Sequence, residues 1–510
     1  MTPPVSDPER RLRSQILGLV YPLELLLVFV LSSAFACGIS PYAVFRTIAL
    51  TVAGFLIIGL LLRLLLRDMH RAGIALLLVF LALASWPLGL QGGIVVIPAV
   101  VIAVLLDRLP RRRITWGQFS EAGSKFGAIL LTLVLIQAGM SGQLGTAFAD
   151  LSQGGGLAAD NGPLVSPEQP DIYVIVIDGH ARSDIMASQF GLDESGFLAD
   201  LETRGFDVSA DSHSNYPETA LTFASMLNMA YLDQIPAIAN VKSGDPASTG
   251  QYREVISRNA VFKLAHEKGY QTLATGSGFD QVSIRSGDVY LDGGQMNIFE
   301  ATLARMTVVG DLIDTFAPSF AGDQMRGWVD SQLNEIAAIA RTPWPRPRLV
   351  FGHVTAPHPP LVFGRDGEPL PLQFGVAYRF PFVGSADDPA EIARYRDQAA
   401  YVDSRTIQVV DSILANARRP AVIVLLSDHG SRMDHAGATS HSPEATCNFF
   451  AALTPGHPEL FGQSPTPINL YPQLFNTYLG LNLTIRPDLR FNSTWEAPLD
   501  LHELPADTKP

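Results

Sequence analysis

Cysteine is nearly absent: the 510 residues hold two, Cys37 at the end of an apolar segment and Cys447 in the run ATCNFFAAL. A disulfide framework is thereby excluded, and stability must come from a buried core. A basic surplus is missing from the larger part of the chain, where residues 147–510 carry 24 Lys/Arg against 43 Asp/Glu. That balance argues against nucleic acid as a partner, because phosphate backbones need a basic footprint. It is compatible with an anionic substrate, since a metal ion and a few local cations reverse the field inside a cleft. Internal repeats are also lacking. Acidic residues are sparse in the first 146 positions, six against twelve Lys/Arg, and that region holds the long apolar runs.

Five such runs cover 16–37, 45–66, 72–90, 91–106 and 126–146. Most approach the ~20 residues that a bilayer-spanning helix requires. A single removable signal peptide does not account for five. The fourth is short and follows the third across LQGG, which suggests a tight helical hairpin. Basic residues alternate in step with the runs. Arg10, Arg11 and Arg13 precede the first; Arg63, Arg67 and Arg71 lie between the second and third; Arg108, Arg111, Arg112, Arg113 and Lys125 lie between the fourth and fifth. The connections around SPYA and LQGG are almost uncharged. By the positive-inside rule the N-terminus is cytoplasmic, and five spans put everything after residue 146 on the opposite side.

Residues 147–170 are rich in Gly, Ser and Pro and read as a linker. Beyond it, strand and helix patterns alternate. Strands are expected over 171–177, 205–211, 270–276, 348–354, 421–427 and 447–453, and helices over NAVFKLAHEKG, stopped by Gly269, and EIARYRDQAAYVDSRTIQVVDSILANA. Alternation of this kind predicts a mostly parallel sheet covered on both faces. The catalytic region is expected to span 171–500, and 501–510 to be a loosely held polar tail.

Two of the expected strands climb to carboxylates: DIYVIVIDGHAR reaches Asp178, and AVIVLLSDHGSR reaches Asp428 and His429. In open α/β sheets chemistry collects past the carboxyl ends of such strands, and Asp, Asp and His are ligands for a divalent metal. A lone strand-end Asp often only caps a helix; two that converge are more specific. A third element, SNYPETALTFASMLNM, puts Thr219 at a helix start, where free backbone N–H groups favour an anion.

Together the three elements resemble the alkaline phosphatase superfamily, and within it the membrane-anchored, sulfatase-like branch that includes lipoteichoic acid synthases and lipid A phosphoethanolamine transferases. The resemblance implies an N-terminal five-helix transmembrane region, followed by an α/β alkaline-phosphatase/sulfatase-like domain with a mostly parallel central sheet. It implies one divalent metal (Mn, Mg or Zn) on Asp178, Thr219, Asp428 and His429, with Thr219 also the nucleophile. A metal lowers the pKa of a threonine hydroxyl, which is otherwise a poor nucleophile. In TAPHPPLVFG, His358 matches the family's substrate-phosphate histidine, while His353 either packs in its strand or serves the site. Family members also carry a site histidine in the loop GSRMDHAGATSHSPE, which offers His435 or His441; His441, followed by Ser-Pro, is favoured. Catalytic roles thus fall to Thr219, His358 and His441. Arg182, Asn215, His353 and His435 are candidate substrate contacts.

The match departs from sulfatases in lacking a Cys/Ser-x-Pro-x-Arg motif, since the position is Thr219 within ETALTFASM, and in carrying DG rather than Asp-Asp at the first strand. It departs from the phosphoethanolamine transferases in its scarcity of cysteine. The reading is a phospho-group transferase of the inner membrane, its catalytic domain periplasmic. It would take a phospholipid head group, glycerol phosphate or phosphoethanolamine, to an envelope glycan or lipid. A phosphodiesterase, phosphatase or sulfatase-like hydrolase on the same scaffold and an inactive envelope scaffold are the alternatives. Oligomeric state is open.

Overall fold

The computed structural model describes residues 7–36, 39, 41–85, 116–140, 157–245, 248–377, 383–435, 441–494 and 497–505. The chain divides into two units, one of residues 1–151 with 299–317 and one of 152–298 with 318–510.

In the first unit, helices α1 (Asp7–Ala36), α2 (Pro41–Leu66), α3 (Met69–Ser85) and α4 (Trp116–Met140) are described. Segments Gln15–Ala34, Ala43–Leu66 and Trp116–Gly139 are long and apolar enough to cross a membrane, and Met69–Leu81 is a shorter apolar helix. The described parts of the runs at 16–37, 45–66 and 126–146 therefore fall on α1, α2 and α4, and that of the run at 72–90 falls on α3; residues 37, 86–90 and 141–146 lie outside the described residues. The run at 91–106 lies outside the described residues.

Small residues let these helices approach closely, as lipid-embedded packing favours. A Cβ on Gly73 of α3 would lie 1.6 Å from the Gly18 carbonyl oxygen of α1, and Gly123 of α4 faces the Tyr21 ring. Leu50, Ile57, Leu61, Leu64 and Leu65 of α2 face outward. Two short helices that come much later in the chain, Ile298–Arg305 and Val308–Phe316, supply most of 299–317. Phe299 packs with Val30, Ala34 and Val44, and Glu300 pairs with Arg46 at 2.5 Å.

The second unit is built on strands β1 (Asp171–Ile177), β2 (Asp207–Val208), β3 (Gln271–Thr275), β4 (Val289–Leu291), β5 (Arg348–Val354), β6 (Gly384–Ser385), β7 (Ala421–Leu426), β8 (Met433–Asp434), β9 (Phe450–Leu453), β10 (Arg490–Asn492) and β11 (His502–Leu504). Seven of them form one sheet in the order β2-β9-β7-β1-β5-β3-β4. The neighbours of β1 are both parallel to it, while β9 pairs antiparallel with β7 and with β2, so the sheet is mixed and mostly parallel. Every residue of β1, β5 and β7 is buried. Burial on both faces is why these strands read as near-continuous apolar runs.

Differences from the expected elements lie at the sheet's margins. The strand expected over 205–211 contracts to Asp207–Val208, and β4 forms where no strand was expected. The tail is not loose throughout: His502–Leu504 pairs antiparallel with Arg490–Asn492. The end of the linker is also held, since Arg419 donates to the carbonyls of Val165, Ser166 and Gln169. The NAVFKLAHEKG helix runs Ala260–Glu267, with the Asn259 side chain capping its start. Gly269 follows its C-cap at φ +84°, the left-handed geometry that a glycine accepts without a steric penalty.

At the amino end of β1 and β5, Arg348 clasps Asp171. Its Nη2 and Nε donate to Oδ2 at 2.7 and 3.1 Å, and its backbone N–H donates to Oδ1 at 2.9 Å. Both residues are buried, and removing one partner strands the other's charge away from water. Asp171→Ala is expected to lower stability by about 3–5 kcal/mol, read as a fall in the unfolding midpoint of the detergent-solubilised full chain; an unchanged midpoint would refute this role.

Candidate metal and nucleophile site

Register brings the two carboxylates together. Val176 lies opposite Leu426 in the β1–β7 ladder, so the same register carried two residues further sets Asp178 level with Asp428. On the other flank Val176 lies opposite His353 of β5, whose Nε2 stands 2.9 Å from Asp178 Oδ2. The chain turns sharply at Gly179, with φ +70° and His358 so close that a Cβ there would meet its side chain at 3.1 Å. That turn lets the His358 N–H donate to the Asp178 carbonyl at 2.9 Å.

The tautomers follow from the backbone. His429 Nδ1 is 2.7 Å from the Gly430 carbonyl and His358 Nδ1 is 2.6 Å from that of Pro359. A carbonyl oxygen only accepts, so each Nδ1 carries a proton and Nε2 is the ring nitrogen left for a ligand. Burial holds His358 below the ordinary imidazole value against the pull of Asp178, which favours a neutral ring with a free Nε2 lone pair. Asp178 Oδ1 and Asp428 Oδ2 each lie 3.4 Å from His429 Nε2. Both oxygens are buried and accept no hydrogen bond. Burial alone would raise the Asp178 pKa, but His358, His353 and His429 hold it well below the usual carboxylate range.

A divalent cation fits this set. Ligand atoms of Asp178, His358 and His429 lie within 4.8 Å of one another. Donors bonded at ~2 Å to a tetrahedral ion stand about 3.3 Å apart, close to the 3.4 Å separations here.

Thr219 is the first residue of the helix Thr219–Asn228. The helix is tied to the end of β7 by Thr222, whose hydroxyl donates to the Asp428 carbonyl at 3.0 Å. Thr219 Oγ1 is thereby placed 3.3 Å from His429 Nε2, beside the converging carboxylates. Glu218, the N-cap residue, bonds no helix N–H through its side chain. It faces His441 instead: Arg432 donates to His441 Nδ1 at 3.0 Å, and His441 Nε2 lies 3.2 Å from Glu218 Oε1. Arg432 is also 3.7 Å from Glu218 Oε2. Burial pushes the Glu218 carboxyl up, but Arg432, then His441 and His429, outweigh it and hold the pKa at about 2.

Residues 170–475, well over half of the chain, match the family described as Sulfatase. The chain belongs to the sulfatase family. It therefore carries a catalytic domain of the alkaline phosphatase superfamily. No curated protein matches it. Among solved structures it is similar to the 2-O GAG sulfatase BT1596, at 15% identity over 62% of this chain and 72% of that one, TM-score 0.42. The periplasmic domain of EptC from Escherichia coli matches at 14% identity over 68% and 97%, TM-score 0.42. The lipoteichoic acid synthase LtaP from Listeria monocytogenes matches at 11% over 64% and 76%, TM-score 0.37.

In this sulfatase-family domain the structure brings Asp178, Thr219, His358, Asp428 and His429 together, with His441 one residue removed through Glu218. His358 lies among the candidate metal donors. The other four candidates have protein partners of their own. Arg182 is spent on Asp184, Asp211 and the Ser212 carbonyl. Asn215 bridges the Leu489 carbonyl and the Ile468 N–H, a structural role. His353 supports Asp178 from within β5, and His435 is exposed and paired with Asp387 at 2.7 Å. Residues 436–440 lie outside the described residues. Missed from sequence were Glu218 and Arg432. Their nearness to Thr219 and to Asp428 in the chain was the available signal, but their pairing through His441 is tertiary.

Because the fold depresses the Glu218 pKa, the charged carboxylate contributes stability above its ordinary value of 4.5, and that contribution is lost as pH falls toward about 2. The difference in melting temperature between the wild type and Glu218→Gln should be widest above pH 4.5 and close between 4.5 and about 2. A gap independent of pH would show that the ionised form is not what matters.

Proposed function

We propose that the chain is a membrane-anchored, metal-dependent phospho-group transferase. It would move a phospholipid head group, of the glycerol phosphate or phosphoethanolamine type, to an envelope glycan or lipid. The observation that carries the reading is Thr219, a hydroxyl at a helix start 3.3 Å from His429 Nε2, in the place where sulfatases require a Cys or Ser in their own motif. The apolar helices and the alternation of basic clusters support an inner-membrane anchor with a periplasmic catalytic domain.

Asp178, Asp428, His429 and Thr219, with His358, would hold one divalent ion. The ion supplies Lewis acidity, lowering the Thr219 hydroxyl pKa and offsetting charge on the phosphoryl oxygens. Thr219 Oγ attacks phosphorus in line as the bond to the diacylglycerol oxygen breaks, leaving a phosphothreonine diester that keeps the head group. The hydroxyl proton is balanced by the proton that the departing alkoxide takes up, and His441 is the group assigned to that exchange. Burial lowers the His441 pKa while Glu218 raises it, so the pair sets its basicity. An acceptor hydroxyl then attacks the phosphothreonine and restores Thr219. The free N–H groups at the helix start face the anionic intermediate.

The test uses the full chain in liposomes containing head-group-labelled phosphatidylethanolamine or phosphatidylglycerol. Expected are diacylglycerol release, label on Thr219 in acid-quenched samples, and a loss of about 10³-fold or more in Thr219→Ala. Turnover that persists in Thr219→Ala overturns the mechanism. Label released only as a water-soluble head group makes the enzyme a hydrolase, and hydrolysis of sulfate esters alone overturns the phosphate reading.

A further inference from the structure

A second cluster of ligand-type side chains lies behind the first loop, away from the reacting groups. His180 follows Asp178 by two residues, Glu194 immediately precedes the helix Ser195–Thr203, and Asp403 sits within the helix Pro389–Asn416. All three are buried, with Glu194 5% exposed, and one ligand atom from each lies within 4.8 Å of the others. His180 Nε2 is 2.9 Å from Asp403 Oδ1 and 3.5 Å from Glu194 Oε1. Neither Glu194 oxygen accepts a hydrogen bond.

The ring orientation is informative. His180 Nδ1 stands 2.9 Å from the Ala181 carbonyl, an oxygen that only accepts, so Nδ1 carries the proton. Nε2, Asp403 Oδ1 and Glu194 Oε1 converge on one buried point, where neither Glu194 oxygen has a donor. Donation of the second ring nitrogen to a backbone carbonyl is also the usual way a metal-bound histidine is held. The His180 ring lies against Phe449 and Phe197, at 4.9 and 6.3 Å between centroids. Burial pushes the Glu194 carboxyl up to about 8, and burial of His180 is outweighed by Glu194 and Asp403, which raise it to about 9; a bound cation would displace those protons.

We propose that His180, Glu194 and Asp403 form a second divalent-cation site, of zinc type, that clamps the loop after β1 to the long helix Pro389–Asn416. One nitrogen and two carboxylate oxygens suit zinc, and donor separations of 2.9 and 3.5 Å bracket the about 3.3 Å edge of a tetrahedral zinc site. The site is closed and takes no part in the reaction. Its effect is to fix the segment that presents Asp178, and it stands whether or not the transferase reading does.

The test is metal stoichiometry on the full chain in detergent, saturated with zinc alone, desalted and measured by inductively coupled plasma mass spectrometry. Two zinc ions per chain are expected in the wild type. One should remain in Asp178→Asn/Asp428→Asn, which disables the first site, and one in Glu194→Gln/Asp403→Asn. Should the latter fail to fold, X-ray absorption on Asp178→Asn/Asp428→Asn decides: zinc bound by one imidazole with oxygen donors supports the site. Absence of zinc from that variant overturns the proposal, as does a wild-type content no greater than that of Glu194→Gln/Asp403→Asn. Either result would mean that protons alone neutralise the cluster.

Discussion

The catalytic unit depends on the placement of β1 between two parallel partners. Pairing with β5 on one side and β7 on the other fixes the register to the residue, and a slip by one would turn every side chain to the opposite face. Because Val176 is level with both His353 and Leu426, the carboxyl ends of three strands emerge together. Asp178 and Asp428 are thereby forced side by side, buried, with one oxygen of each left without a donor. Two such charges in one desolvated place are unfavourable unless a cation joins them. Strand pairing therefore sets the two carboxylates where one cation could join them.

The same strands solve the opposite electrostatic problem at their other end. There Asp171 is neutralised internally by Arg348, with Arg419 3.5 Å away. A buried ion pair with its hydrogen bonds satisfied closes the amino edge of the sheet, while unsatisfied carboxylates open the carboxyl edge to a ligand. Glu194, beside His180 and Asp403, repeats the unsatisfied pattern in a buried setting. One cluster stands beside Thr219 at a helix start, and in the other the His180 ring lies against phenylalanines.

The central strands were legible because they are buried on both faces and so are written as unbroken Val/Ile/Leu runs; 171–177 and 348–354 coincide with β1 and β5. Edge elements were not, since Asp207–Val208 and Val289–Leu291 are held by pairing partners far along the chain rather than by any local pattern. Asp178, Thr219, Asp428 and His429 stand together in the structure, and strand ends and helix starts mark such positions in the sequence. Arg182, Asn215 and His435 meet protein partners that the sequence did not signal, because a polar side chain in a loop carries no sign of whether it faces a cleft or a neighbouring carbonyl.

By itself the sequence determined the apolar runs, the core strands and the carboxylates at strand ends, since hydrophobic periodicity and strand-end ligands are local properties. Only the tertiary structure decided which histidines stand beside Asp178 and Asp428, that His441 pairs with Glu218 next to Thr219, and that His180 meets Asp403. The physical reason is geometric. A tautomer, a charge partner or an orphaned oxygen is set by what lies within a few ångströms, and those neighbours come from strands and helices distant in the chain.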